Sequence, residues 1–203
     1  MLVSQLTSYV FQEDPNADDP PVVLGNIGMS ISFGGTETYL NGRIVLSLVN
    51  IMEESTMKNA SAYQMNNGRP ELANPPAFLN LFLLFTANFN NPPGNNGDSV
   101  AYNNSITRLS QVIEFFQSKR VFTVQNSPDP NIVQDPDLQD LRVAMDLYSM
   151  TFEQVNHLWG SLGGKQAPFV MYKAWITPVK RDLVTKRGEL IRDVETNTIQ
   201  LTT

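Results

Sequence analysis

The feature that most constrains the fold is the apolar run at residues 78–89, FLNLFLLFTANF. Leucine, phenylalanine or alanine occupies every second position from Leu79 to Phe89, and Phe82 and Leu84 add apolar groups to the other face. This period of two predicts a β-strand, and apolar groups on both faces are typical of a covered, central strand. A run of this length is too short to cross a bilayer as a helix, which needs about 20 residues.

Five further segments have the composition of strands. Residues 41–54 are rich in β-branched residues and apolar on both faces, so we expect a second central strand there. Residues 120–124, 141–147 and 168–176 predict three more, and the earlier segment VVLGNIGMSISF predicts strands with a bend. Residues 64–76 are interpreted as a loop. In the segment 141–147, apolar side chains occupy alternate positions, at Leu141, Val143, Met145 and Leu147.

The longest helical pattern covers residues 98–118, with Asp98 or Ser99 as the expected N-cap. We expect its apolar stripe to pack over Leu81, Leu83 and Phe85 of the strand at residues 78–89, because both surfaces are apolar. The stripe consists of Tyr102, Ile106, Leu109, Ile113 and Phe116, and the expected contacts are made by Ile106, Leu109 and Ile113.

Two shorter helices are predicted. Residues 1–13 have helical spacing. Thr151 and Gln154 have the spacing of a capping box that opens a second short helix, and Gly163 and Gly164 are expected to end it. The apolar positions are Leu2, Leu6, Tyr9 and Val10 in the first helix and Phe152, Val155, Leu158, Trp159 and Leu162 in the second.

Strands and helices are intermixed along the chain, which predicts a mixed α/β, or α+β, fold in a single domain. We expect a four- or five-stranded sheet with one long helix and one or two short helices. This domain is expected to cover residues 1–178. Residues 179–203 are expected to form a C-terminal β-arm, because they alternate charges around short apolar pairs, and Lys-Arg-Gly at 186–188 predicts a hairpin turn within it.

The charge balance of the 203 residues limits the possible partners. Lysine and arginine number 14 against 20 aspartates and glutamates, for a net charge of −6, which argues against a general nucleic-acid binder. Charged residues are 17% of the chain against a typical ~25%, and asparagine, glutamine, serine and threonine supply the polarity. Because uncharged polar surface is easier to desolvate, this composition favours a protein largely covered by partners.

The sequence contains no pattern of a catalytic, cofactor-binding or metal-binding site. There are no cysteines, and the one histidine, His157, has no nucleophile in a recognisable motif, so a helix-surface or interface position is expected. The adjacent Glu53 and Glu54 point to opposite faces of a strand. Trp159 is expected in the core, and Trp175 in the core or an interface. The chain is therefore predicted not to be an enzyme and to need no cofactor.

Several strings occur in an order that resembles the cap, or tube-terminator, proteins of extracellular contractile injection systems, which are phage-tail-like particles. They are VVLGNI, LVNIMEE followed by KNA, PPAFLNLFLLFTANF, LSQVIEFFQSKRVFTVQNSP and LYSMTFEQVNHLWGSLGGKQAPFVMYKAWI, and they span residues 22–176. The resemblance implies a structural protein with the mixed α/β fold of phage tail terminators. It also implies a homohexameric ring that ends the inner tube at the end distal to the baseplate and joins it to the contractile sheath.

The expected partners are thus other copies of the chain, the inner tube protein and the sheath protein, without nucleic acid or membrane insertion. The first residues lack a basic stretch and a small-residue cleavage site, so we expect no signal peptide. Synthesis in the bacterial cytoplasm, incorporation into the particle and release from the cell would follow.

Since contractile sheaths link their subunits by exchanged strands, the arm is expected to add strands to the last sheath layer. The alternative is an arm folded back on its own subunit. The cations expected to set its register on the sheath are Lys180, Arg181, Lys186, Arg187 and Arg192.

Two other classes of function remain open. Asparagine-rich loops and Trp175 are compatible with a small-ligand or carbohydrate-binding module. Such a module should be a monomer that binds a ligand, whereas a cap should form a ring. An enzyme would need sites shared between chains, because one chain lacks the residues.

Overall fold

The computed structural model divides into two compact units. The first comprises Met1–Glu53 and Leu79–Thr177, and the second comprises Glu54–Phe78 and Pro178–Thr203. The residues that the structure describes are 2–13, 20–31, 40, 42–54, 63–66, 69–73, 77–88, 98–127, 133–134, 139–163, 165–177 and 184–187.

The first unit is a six-stranded sheet with helices on both faces. Its strands are β1 (Val22–Leu24), β2 (Arg43–Glu53), β5 (Leu79–Asn88), β6 (Val121–Thr123), β7 (Arg142–Leu147) and β8 (Phe169–Ile176). Its helices are α1 (Leu2–Glu13), α2 (Ile27–Ile31), α3 (Asp98–Ser118) and α4 (Phe152–Ser161). The strand order is β1-β2-β5-β8-β7-β6, in which β1 and β2 are parallel and the other pairs are antiparallel.

Helices α1 and α3 cover one face of this sheet, the α1–α3 face, where aromatic rings meet. Phe85 of β5 and Tyr172 of β8 lie under Phe116 of α3, with ring centroids 5.3 Å and 4.6 Å from that of Phe116. Tyr9 of α1 packs on Phe115 at 5.2 Å and joins the two helices. The other buried members of this core are Leu6, Val10, Val22, Ile44, Leu46, Leu83, Ala87, Leu109, Val112, Phe122, Met145, Val170 and Ala174.

The opposite face, the α2–α4 face, carries a second core. Val45, Leu84 and Met171 lie there, each next in sequence to a residue of the first core, so β2, β5 and β8 bury both faces over part of their length. This confirms the prediction from the run at residues 78–89, which forms β5. The remaining members of the core are Ile27, Leu40, Leu158, Trp159 and Ala167.

Local signals for α4 are also confirmed. The Thr151 hydroxyl accepts a hydrogen bond from the Gln154 N–H at 3.3 Å, and Gln154 Oε1 accepts one from the Thr151 N–H at 3.0 Å. Gly163, just after the helix, has φ +110°, a conformation that side chains disfavour. One predicted apolar position of α4 is wrong: Phe152 is 90% exposed, because the inward stripe begins one turn later, at Val155.

The core-facing side of α3 differs from the prediction. Tyr102 and Ile113 are exposed, whereas Leu109, Val112 and Phe115 are buried. The buried stripe is turned toward α1, because α3 packs against both the sheet and α1, and Phe115 makes the contact with α1. The predicted core position of Ile113 is therefore wrong, although the bounds of the helix are confirmed.

Other corrections concern β1, α2 and the sheet. The segment predicted as bent strands is a three-residue strand followed by α2. Asn26 Oδ1 accepts from the Gly28 N–H, and the Ser47 hydroxyl accepts from the Ile27 N–H, so side chains satisfy the first N–H groups of this helix. The sheet has six strands instead of four or five. Leu147, at the end of β7, is exposed, contrary to prediction.

The second unit contains a three-stranded antiparallel sheet in the order β3-β4-β9. Its strands are β3 (Tyr63–Asn66), β4 (Arg69–Ala73) and β9 (Val184–Arg187). The interpretation of residues 64–76 as a loop is wrong, because β3 and β4 pair with Asn66 opposite Arg69. The predicted turn at 186–188 is also wrong, since Lys186 and Arg187 lie in β9. The second half of the predicted hairpin, residues 189–194, lies outside the described residues.

Candidate assembly surface

His157 lies on the outer side of α4, as expected. Its side chain is exposed, and its Nε2 is 3.8 Å from Glu153 Oε1 one turn earlier. Among the residues that the structure describes, no three histidine, aspartate or glutamate side chains are grouped to hold a metal ion. The described helices include none that is both long and apolar enough to cross a bilayer.

The two tryptophans occupy different environments. Trp159 is buried and meets the Phe169 ring edge-on at 5.5 Å, which confirms its expected core position. Trp175, near the end of β8, is 47% exposed, and Lys173 Nζ lies 4.9 Å from its ring centroid. Protein interfaces are enriched in tryptophan, and Trp175 has about half of its surface available for such a contact.

Trp175 belongs to a band of residues that crosses the sheet. The strand register places Met52 of β2 opposite Asn80 of β5, Asn80 opposite Trp175, Trp175 opposite Ala144 of β7, and Ala144 opposite Val121 of β6. Residues paired in this way share a face, so these five side chains form one line, which we name the five-strand row. At about 4.8 Å per strand, the line is about 19 Å long.

Three side chains of the five-strand row are exposed on the α2–α4 face. Met52, Trp175 and Val121 are about half exposed, whereas Leu84 and Met171, on the same face of β5 and β8, are buried in the α2–α4 core. Four of the five side chains in the row are apolar. Asn80, between Met52 and Trp175, is polar and buried, so the exposed apolar groups are Met52 on one side of it and Trp175 and Val121 on the other. Apolar groups exposed close together on a sheet surface mark an interaction site more often than scattered ones do.

A β-bulge creates a second exposed patch, on the α1–α3 face. Leu48 pairs with Leu83 and Ile51 with Leu81, and the register shifts between Leu48 and Asn50. Without that shift, Leu48 and Ile51 would point to opposite faces, because they are three residues apart. Both are half exposed, so the end of β2 has apolar groups on both faces. The predicted central, fully covered strand is therefore buried only in its first half.

Side chains form hydrogen bonds with backbone groups of both outer strands of the six-stranded sheet. Thr7 Oγ1 of α1 donates to the Val22 carbonyl of β1 at 3.4 Å. Asn126 Oδ1 accepts from the Thr123 N–H of β6 at 3.1 Å. Open edges invite an added strand, and these bonds occupy groups that such a strand would use.

Two of the five cations predicted to contact a sheath lie in the part of the chain that the structure describes. Lys186 and Arg187 are in β9, where the register places them opposite Leu72 and Glu71 of β4. Strand β9 thus pairs with β4 of its own chain, as expected for an arm that folds back on its own subunit. The other three cations, Lys180, Arg181 and Arg192, lie outside the described residues.

A family model for the Pvc16 N-terminal domain matches residues 3–193, a range that includes nearly all of both units. The chain belongs to the Pvc16 N-terminal domain family. The resemblance in the sequence strings is thereby confirmed. No curated protein sequence matches the chain.

Two solved structures resemble this Pvc16 N-terminal domain. One is the sheath/tube terminator, in its extended state, of the extracellular contractile injection system PVC. It is 14% identical, the match covers 100% of this chain and 64% of that chain, and the TM-score is 0.54. The other is the tube-terminating cap of the anti-feeding prophage, 16% identical over 78% of this chain and 49% of that chain, with a TM-score of 0.46.

The similarity to the PVC terminator shows a shared fold. The expected mixed α/β fold of a tube terminator is confirmed, with six strands in the main sheet. The chain spans 64% of the length of that terminator.

Proposed function

We propose that this chain is a structural cap subunit of a contractile injection system. It ends the inner tube at the end distal to the baseplate and joins the tube to the sheath. The observation that carries the proposal is the family match over residues 3–193, and the shared fold with a sheath/tube terminator supports it. The subunit is made in the bacterial cytoplasm and becomes part of an extracellular particle, without a cofactor or a catalytic step.

Six copies form a ring in this proposal. A closed ring needs two different patches on each subunit, because each subunit contacts one neighbour through each patch. The five-strand row and the Leu48–Ile51 patch are two exposed apolar surfaces on opposite faces of the sheet. We assign the five-strand row to the contact with the neighbouring subunit, since its half-exposed side chains are apolar and a ring contact would bury them.

Removal of the chain from the producing cell tests the cap role. Particles made without it should have inner tubes of variable length and sheaths that detach at the distal end, because nothing stops tube growth or links the two layers. Electron micrographs of purified particles give both the length distribution and the sheath attachment. Unchanged tube lengths and attached sheaths in its absence would contradict the cap role.

The five-strand row is tested by returning variants to that strain. Trp175→Gln together with Val121→Thr removes apolar surface from the row without filling or opening a core, since both side chains are half exposed. This double variant should fold normally and fail to restore tube length. Met29→Gln, which alters an equally exposed residue of α2 outside the row, should restore it. Full restoration by the row variant would place the ring contact elsewhere.

The C-terminal arm, residues 179–203, is proposed to hold the sheath. The edge bonds of Thr7 and Asn126 disfavour strand addition to the six-stranded sheet, whereas β9 is, among the residues that the structure describes, one of the two outer strands of the three-stranded sheet. A sheath strand is therefore proposed to add beside β9. The cations proposed to set its register are Lys180, Arg181, Lys186, Arg187 and Arg192.

Replacement of these five cations by glutamine tests the arm. Particles with this variant should keep normal tube lengths and lose the sheath connection, and a matched variant that exchanges each lysine for arginine and each arginine for lysine should keep both. Deletion after Pro178 should have the same effect as the glutamine variant, although it also removes β9 from its sheet. A firmly attached sheath in the glutamine variant would contradict this role.

One feature favours the alternative of a carbohydrate-binding module. A groove of about 420 Å³ between α1 and the end of β6 is lined by amides, hydroxyls and two aromatic rings. Neutral donors and acceptors beside aromatic rings suit a sugar ligand. Retardation of the protein in polysaccharide gels, with a monomeric mass in light scattering, would favour this function over a cap. The lining residues are Gln5, Ser8, Tyr9, Gln12, Phe115, Gln125, Asn126 and Ser127.

A further inference from the structure

Phe152 is more exposed than any other large apolar side chain in the described part of the chain, at 90%. The start of α4 does not require it. Thr151 and Gln154 form the capping box, and Met150 and Val155, which both pack on the α2–α4 core, supply the apolar pair that flanks such a cap. An aromatic side chain can bury about 150–250 Å² in an interface. Phe152 leaves nearly all of this area in water, so it is available as an anchor for a partner.

The groove between α1 and the end of β6 suits an aromatic anchor. Its volume of about 420 Å³ lies within the range of ~300–1,000 Å³ that is typical of binding pockets. Tyr9 and Phe115 line it, with ring centroids 5.2 Å apart and planes tilted by 47°. Because edge-on and offset contacts between aromatic rings are favourable, a third ring beside this pair is stabilised. The other described lining residues are uncharged amides and hydroxyls.

The charges beside the anchor and beside the groove are opposite. Glu153 follows Phe152 in α4, and its side chain is 85% exposed. Lys119 lies at the edge of the groove, where its Nζ donates to Oε1 of the lining residue Gln5 at 2.6 Å and lies 5.2 Å from the ring centroid of Phe122. Neither of these contacts is with an anion. The groove edge therefore attracts a carboxylate.

The anchor and the groove belong to opposite faces of the six-stranded sheet. Helix α4 packs on the α2–α4 face, whereas α1 packs on the α1–α3 face. Phe152 therefore does not reach the groove of its own chain, and a contact between the two joins different copies head to tail. Contacts of this kind use two different surfaces of each subunit and close into rings when the rotation allows it.

We propose that Phe152 of one copy inserts into the groove of a second copy. Its ring packs against Tyr9 and Phe115 of that copy, and Glu153 faces Lys119. The proposal rests on the ring in the proposed function and adds a second pair of surfaces between its subunits. It is tested on the purified full chain, whereas the cap role is tested in particles, so the two can fail separately.

Sedimentation velocity measures the association of the purified chain. The parent should associate with a Kd below about 1 mM, as expected of a small contact. Phe152→Gln should weaken the association roughly 30-fold or more, the loss of an aromatic anchor, and leave the melting temperature unchanged because the side chain is exposed. Met29→Gln, which alters an exposed apolar residue of α2 outside the groove, should associate as the parent does.

Charge reversal tests whether these two surfaces meet. Glu153→Lys alone and Lys119→Glu alone should each weaken the association about tenfold, because like charges then face each other. An equimolar mixture of the two variants should associate as the parent does, since every anchor then finds a groove edge of opposite charge. Recovery in the mixture also shows that both variants are folded.

Several results would overturn the proposal. They are a parent chain that stays monomeric up to about 1 mM, equal association of Phe152→Gln and the parent, and no recovery in a mixture of folded charge variants. Recovery should persist when both variants also carry Trp175→Gln and Val121→Thr, and its loss there would assign the association to the five-strand row. A monomeric chain that polysaccharide gels retard would assign the groove to a sugar instead.

Discussion

Leu109→Ala and Ile113→Ala form a matched pair of tests for the packing of α3. The two residues lie one turn apart on the same helix, and each substitution removes three carbon atoms. Leu109 is 8% exposed and belongs to the α1–α3 core, whereas Ile113 is 36% exposed. The sequence pattern predicts equal burial, so the difference in their costs measures the rotation of α3 toward α1.

The expected costs follow from burial. Three buried carbon groups at about 0.8 kcal/mol each contribute about 2.4 kcal/mol for Leu109, and the residual cavity raises the total to about 3–4 kcal/mol. Ile113 loses only the buried part of its side chain, leaves no closed cavity and gains about 0.4 kcal/mol of helix propensity as alanine, for a net cost of about 1 kcal/mol. For a domain of this size, 1 kcal/mol lowers the melting temperature by about 2–4 °C.

Urea unfolding followed by tryptophan fluorescence measures both variants. The two tryptophans, Trp159 and Trp175, lie in the first unit, so the signal reports the sheet on which α3 packs. The slope of free energy against urea should be the same in both variants and the parent. A cost for Ile113→Ala equal to or above that of Leu109→Ala would refute the observed rotation of α3.

Three further predictions concern single positions. Ser47→Ala should lower the free energy of unfolding, measured in urea, by about 1–3 kcal/mol, because the buried hydroxyl donates to the Gly25 carbonyl at 2.7 Å and accepts from the Ile27 N–H at 3.1 Å. A smaller cost would mean that water replaces the hydroxyl in these two bonds. Gly160→Ala should stabilise the chain by about 0.5–1 kcal/mol, since a Cβ there meets no atom within 4 Å on this helix; destabilisation would contradict the open surface. Burial raises the pKa of Tyr172 to about 12, so the folded chain binds this proton more tightly than the unfolded chain does. The contribution of Tyr172 to the free energy of unfolding is therefore complete below pH 10 and is lost as the pH rises toward about 12. Tyr172→Phe should lose less stability over this range, and identical alkaline melting curves of the variant and the parent would contradict this prediction.

Elements with strong local signals were predictable. The run that forms β5 has period two over its whole length, and the Thr151–Gln154 capping box and Gly163 define both ends of α4. These features depend on residues within a few positions of one another. Local chemistry therefore indicates them without knowledge of any tertiary contact.

Elements that depend on distant residues were missed. Helix α2 has the composition of a strand, and Ser47, twenty residues later in the chain, accepts from its first N–H. The hairpin of β3 and β4 had a usable local signal, because Asn67-Gly68 is the preferred two-residue hairpin turn. The prolines and short apolar runs around that dipeptide favoured the interpretation as a loop.

The candidate surface was the least predictable part. Trp175 stands out in the sequence, but Met52 and Val121 join it only through the register of five strands. The exposure of Leu48 and Ile51 on one face requires a β-bulge, which shifts the alternation by one residue. Strand register and bulges are set by pairing between strands far apart in sequence, so the residue pattern within one strand does not reveal them.

The most direct test of the cap proposal is electron cryomicroscopy of intact particles that carry this chain. We predict a six-fold ring at the end of the inner tube distal to the baseplate, with density that fits the six-stranded sheet and the helices packed on its two faces and that contacts the last sheath layer. A ring of another symmetry, or the absence of this fold from that end of the tube, would contradict it.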